Sequence, residues 1–223
     1  MTDWRDALNV VVKDVATEMR TKEALGAMLV FALLVIIIFN FALELRSDNA
    51  REIAPGILWV AFAFAGMLGF NRSFALEREN ACIEGLMLAA ADRSMIYVGK
   101  MLGNVVFMSL AEMCVLPIFA ALFDVPVLNP ALWLVILLGT LGLCAVGTLF
   151  AVMAVSTRAR EVILPLLLFP ITVPLIIAAV KATGQVLDGQ RLSEAFVWLR
   201  LMLGFDIIFT LLAFLGFEYV IEE

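Results

Sequence analysis

Two carboxylic acids stand inside apolar runs of this 223-residue chain, Glu112 and Asp206. A charge near mid-bilayer is expensive, so each acid is expected to face protein or water, or to carry a proton. In a carrier, such acids can relay protons across the membrane. The plainer expectation is a pair of neutral or hydrogen-bonded acids at helix contacts. No Lys or Arg stands at similar depth as an evident partner. Asp206 is expected a turn or two below the outer surface, within reach of Arg200.

Three prolines, Pro165, Pro170 and Pro174, fall within one apolar run, EVILPLLLFPITVPLIIAAV. Each lacks an N–H and crowds the carbonyl four residues back, so the run is expected to kink or break. Irregular backbone is predicted between Leu164 and Leu175. A re-entrant or hinged element near the outer face and a merely kinked span both fit that prediction.

Residues 71–94, NRSFALERENACIEGLMLAAADRS, mix apolar and charged side chains. Phe74, Leu76, Ile83, Leu86 and Met87 alternate with Arg72, Glu77, Arg78, Glu79 and Glu84. A short amphipathic helix pressed into a groove on a soluble partner needs that mixture. A segment lying on lipid headgroups needs it too.

Several chemistries are excluded. No G-x-x-x-x-G-K-[ST] loop is present, so ATP is not bound in that way. The chain has no histidine, hence no H-E-x-x-H zinc site and no His-ligated haem. Cys82, Cys114 and Cys144 are far apart and form no C-x-x-C or C-x-x-C-H. Nothing pairs a nucleophile with a base, and no enzyme is read here.

The elements that position these residues are six long apolar runs, at 24–43, 53–70, 95–123, 131–155, 162–180 and 199–221. Each is long enough, or nearly so, to cross a core of about 30 Å as a helix. With 64% hydrophobic residues and a mean hydropathy of +1.05, the chain is an all-α polytopic membrane protein with a single membrane domain. Residues 1–23 place Trp4, Leu8, Val11, Val15 and Met19 on one helical face, with Asp6, Asn9, Lys13, Thr17 and Arg20 opposite. That split predicts an amphipathic interfacial helix bracing the first span. The mixed charges there are unlike a signal peptide, so the first span is expected to be retained.

Loops are predicted at 44–52, 124–130, 156–161 and 181–200, with Pro130 starting one helix and Ser193 and Glu194 capping the last. If the N-terminus is cytoplasmic, Arg5, Lys13, Arg20, Lys22, Arg72, Arg78, Arg93, Lys100, Arg158 and Arg160 lie inside. Only Arg46, Arg51, Lys181, Arg191 and Arg200 then lie outside. The bias favours both termini in the cytoplasm. Gly99 and Gly103 form a G-x-x-x-G, a weak dimerisation signal.

Three blocks together resemble the heme exporter protein B family, the permease subunit of the bacterial cytochrome c maturation system. They are Ile53-Ala54-Pro55-Gly56-Ile57-Leu58-Trp59-Val60, Ile83-Glu84-Gly85-Leu86-Met87-Leu88, and residues 164–179 with Pro170 and Pro174. The resemblance covers nearly the whole chain in the same order. The sequence departs from the family pattern at Ala90, where proline is usual. Glu112 and Asp206 are not among the features it carries.

The resemblance implies an ABC-2-like permease in the bacterial inner membrane. Its partners would be a cytoplasmic ATPase subunit, a haem-handling membrane protein, a small single-span subunit and a periplasmic haem chaperone, with a homodimer and membrane lipid as further contacts. No nucleic acid is implied. ATP and haem would be handled by partners, leaving this chain with no directly bound cofactor. By the resemblance Glu84 and Leu86 belong to the loop that would contact the ATPase, and Phe74, Glu77, Glu79, Ile83 and Met87 of the same amphipathic segment are expected to dock with them. The rival readings are a proton-coupled carrier using Glu112 and Asp206, and a structural scaffold.

Overall fold

The computed structural model describes the backbone of residues 3–42, 47–79, 93–155 and 160–221, with side chains over 7–42, 52–71, 94–154 and 162–217. The described residues form seven helices and no strand. They are α1 (Asp3–Thr21), α2 (Glu23–Ala42), α3 (Ser47–Glu79), α4 (Arg93–Phe123), α5 (Pro130–Val155), α6 (Arg160–Leu187) and α7 (Phe196–Ile221). All but α1 are long and apolar enough to cross a membrane.

Two spans form the interior. In the membrane-spanning parts of α3 and α5, 67% of residues are buried, against 28–33% in the other four. α5 packs on α3, α4, α6 and α7, and α3 packs on α2, α4, α5 and α6. Between α3 and α5 the closeness depends on glycine. Gly139 lies against the Trp59 indole and Gly147 against the Phe70 ring, with no room for a Cβ at either position. Small residues of this kind let membrane helices approach and gain dispersion contacts where hydrophobic drive is weak. Trp59 also donates its Nε1–H to Thr183 Oγ1 of α6 at 2.9 Å, which pins the first half of α3 to the last turns of α6.

Helix ends follow local chemistry. Asn129 caps α5 by accepting from the Ala131 N–H at 3.0 Å, and Pro130 takes the first helical position, where its missing N–H costs nothing. α4 stops at Asp124, in the left-handed region at φ 49. α6 runs on to Leu187, seven residues past the predicted end, and Gly189 at φ +74 then reverses the chain. The first hydrogen bond of α7 joins the Leu199 N–H to the Ala195 carbonyl at 3.0 Å. Ser193 and Glu194 sit in the preceding turn, so neither is the cap.

Of the two expectations for the prolines, the break is absent, which corrects that reading, while the kinked span remains compatible with the structure. α6 is one helix through Pro165, Pro170 and Pro174, including residues 164–175. In lipid, staying helical forfeits one N–H donor per proline, whereas a break strands the carbonyls and N–H groups of two new helix ends. Within this stretch Thr172 donates its hydroxyl to the Leu168 carbonyl at 2.9 Å and lies 3.3 Å from that of Phe169.

Candidate functional site

Among the described residues, a polar seam runs through the apolar interior between α4 and α5. Thr140 Oγ1 donates to Glu112 Oε1 at 2.7 Å. One turn along, Cys144 Sγ faces Met108 Sδ at 4.0 Å. A turn further, Asn104 Nδ2 donates to Thr148 Oγ1 at 2.9 Å. The partners recur every fourth residue on both helices, as expected where i±4 ridges face each other. Glu112, Thr140, Asn104 and Thr148 are all buried. A carboxyl group in hydrocarbon needs a donor, and Thr140 supplies it.

Asp206 is placed differently. It lies ten residues into α7 from Phe196, or roughly 15 Å along the helix axis, near the middle of the apolar span Phe196–Phe217 and deeper than the turn or two expected. Arg200 does not reach it. The guanidinium stacks 4.4 Å from the centre of the Phe196 ring, toward the start of α7. The Asp206 carboxyl packs beside Gly142 of α5 and Leu175 of α6, with both oxygens lacking a hydrogen-bond partner among the described residues.

Glu112 and Asp206 therefore stand at similar depth on different sides of α5. Glu112 meets Thr140 and Asp206 meets Gly142, two positions about 200° apart on the helix. Among the described residues no hydrogen bond joins the two acids, and no cluster of three or more His, Cys, Asp or Glu forms.

A third buried group escaped the sequence reading. Lys100, only 1% exposed, donates to Asp14 Oδ2 of α1 at 2.7 Å. Beside it Gly99 brings the α4 backbone against the Ala7 carbonyl and Val10, and Gly103 lies near the Asp14 side chain. The G-x-x-x-G thus seats α1 within the chain. Glu18 completes the elbow by accepting from the Leu25 N–H at 2.8 Å in the first turn of α2, just after the left-handed Lys22. The four-residue spacing of Lys100, Asn104, Met108 and Glu112, matched by Thr140, Cys144 and Thr148, was the signal that could have revealed the seam.

Of the expected docking residues, Phe74, Glu77 and Glu79 lie on the backbone of the last turns of α3. Ile83, Glu84, Leu86 and Met87 lie outside the described residues. The membrane-spanning part of α3 is Glu52–Asn71, so residues 72–79 carry the helix roughly 12 Å further. The Asn40 side chain near the end of α2 donates to the Leu122 carbonyl near the end of α4 at 3.1 Å, so those two ends are level and the excess length of α4 lies at its N-terminal end, beside the end of α3. The 31 residues of α4 exceed the roughly 20 that cross the core by about ten.

Comparison with known proteins matches the sequence of this chain to a family. A family model described as CcmB protein matches residues 5–222. The chain is 30% identical over 172 residues to Heme exporter protein B of Pseudomonas aeruginosa, covering 77% of each chain. It is 31% identical over 190 residues to Heme exporter protein B of Haemophilus influenzae, covering 85% of this chain and 84% of that one. The Heme exporter protein B of Paracoccus denitrificans is 30% identical over 193 residues, with 85% and 88% covered.

Proposed function

We propose a function from one premise: the chain belongs to the CcmB protein family. It is the multi-pass permease subunit of a haem export system in the bacterial inner membrane, with both termini cytoplasmic. It works as a non-catalytic lever. A separate cytoplasmic ATPase closes on ATP and pushes the segment 71–94, and the movement passes through the bundle to its outer face. There it drives haem delivery or release of a haem-loaded chaperone in cytochrome c maturation. Haem is cargo in this reading, and its axial histidines come from partners, since the chain has none.

The observation that supports this reading is the shared overhang of α3 and α4. Two long helices leave the membrane at the same end and bracket the amphipathic segment, so a push there moves two spans that pack on α5. The test is the pair Glu84→Lys with Leu86→Asp, measured by co-purification of the ATPase from solubilised membranes. Loss of the ATPase with the chain still folded is expected. Unchanged co-purification would overturn the docking assignment.

The proton-coupled carrier has one observation in its favour, the two carboxyl groups near mid-membrane. Their separation by α5 weighs against a direct relay. Glu112→Gln separates the readings, because a carrier should lose transport and an ATPase-driven permease should keep it.

A further inference from the structure

The span α6 has two unlike sides. Leu164, Leu168, Thr172, Leu175 and Ala179 are buried against the bundle. On the opposite side Leu166, Pro170, Val173, Pro174 and Ile177 form an exposed ridge, with Leu166 68% exposed. The four-residue spacing sets Leu166, Pro170 and Pro174 one above another along it.

The ridge is apolar in its side chains but not in its backbone. Each helical carbonyl points along the axis and accepts from the N–H four residues on, and proline has none. Pro170 therefore leaves the Leu166 carbonyl, and Pro174 the Pro170 carbonyl, without its helical donor. Both acceptors lie within hydrocarbon, roughly 6 and 12 Å from the start of the apolar span at Val162. Pro165 does the same to Glu161, but that residue precedes the span. Pro117 creates one such acceptor on α4, at Met113. Among the described spans, α6 sets two of them one turn apart on one exposed face.

The described residues do not replace the missing donors. The Thr172 hydroxyl is on the buried side and is engaged with the Leu168 and Phe169 carbonyls. Acyl chains have no donor to give, and an unsatisfied carbonyl in lipid is costly. A second copy of the chain fits poorly. Apart from charged residues near the span ends, the exposed side chains of the six spans are hydrocarbon, thiol or thioether, with Trp133 the exception. Trp133 stands near the start of α5, whose other end adjoins the start of α6, so its indole is on the far side of the membrane. Copies related by an axis along the membrane normal keep the same depth, so that indole never meets Leu166. The hydroxyls of Ser109 and Thr210 are half-buried in their own bundle.

We propose that this ridge seats a transmembrane helix of a different membrane protein. That helix carries hydroxyl, amide or indole donors one turn apart, facing the Leu166 and Pro170 carbonyls. The prolines thus turn an apolar face into a polar recognition site without placing a polar side chain in lipid. The assignment does not rest on ATPase docking at segment 71–94.

The test begins with a photoreactive benzophenone side chain in place of Leu166 or Val173, in the full-length protein in its native membranes, with Ile208 of α7 as the control position. Positions 166 and 173 are expected to capture one membrane-spanning protein, with Ser, Thr, Asn, Gln or Trp at the captured level of its helix, and position 208 is not. Pro170→Ala with Pro174→Ala then returns both N–H donors to α6. The isolated variant should unfold at a temperature no lower than the unaltered chain, while its retention of the captured protein in detergent falls about ten-fold. An apolar residue in place of the partner's donor should cause a similar fall. Adducts only with lipid, or between two copies of the chain, would overturn the proposal. So would a double alanine variant that retains the partner undiminished, or one that unfolds more easily, since the prolines would then serve the fold of the chain itself. None of these readouts requires ATP or haem, so their failure is distinguishable from failure of the permease reading.

Discussion

The two sides of α5 are built differently. Toward α4 it presents Thr140, Cys144 and Thr148, each matched by a partner at the same spacing. Toward α6 and α7 it presents Gly142, packed on Leu175 and the Asp206 carboxyl with no hydrogen bond among the described residues. A hydrogen-bonded seam fixes register, because sliding by one residue strips every pair at once. A glycine face is held by packing alone and has no such directional constraint. The seam therefore ties α5 to α4 more specifically than packing at Gly142 ties it to α7.

The largest expected effect falls on the seam. Thr140→Val removes the donor to a buried carboxyl and should cost about 2 kcal/mol. That lowers the apparent unfolding temperature in detergent by roughly 4–8 °C. A smaller effect is expected one rung away. Thr148→Val leaves the Asn104 amide without its acceptor and should cost about 1 kcal/mol. Adding Asn104→Leu removes the stranded amide, so the double change should recover part of that loss. A double variant as destabilised as the sum of two losses would mean that the rung is not a coupled pair. The smallest effect is expected on the glycine side. Asp206→Asn keeps the shape and breaks no hydrogen bond among the described residues, so thermal unfolding should shift by less than about 0.5 kcal/mol. A shift as large as that of Thr140→Val would erase the contrast between the two sides.

Much of this architecture was legible from sequence because its determinants are local. Runs of apolar residues longer than a bilayer is thick can only be helices, and Pro130 after Asn129 marks a helix start by its own chemistry. What was not legible depends on neighbours. The prolines of α6 suggested a break because their lost N–H donors were not weighed against the greater cost in lipid of two new helix ends. Arg200 was paired with Asp206 by closeness in sequence, yet six residues of helix put them on different sides of α7, and the cation stacks on Phe196 instead. Lys100 was counted only as a cation for orientation. Its partner Asp14 lies 86 positions away on another helix, a separation that periodicity does not report. Glycine spacing showed that some helix would come close at Gly99 and Gly103, but α1 as the occupant emerges only from the fold.

The most direct test of the account is haem delivery measured in proteoliposomes. The chain is reconstituted alone, with a proton gradient as the only driving force, and then with the ATPase subunit and the haem-handling partners supplied with ATP. Delivery only in the complete, ATP-fuelled system is predicted, with Glu112→Gln behaving like the unaltered protein. Sustained transport by the chain alone under a proton gradient would contradict it.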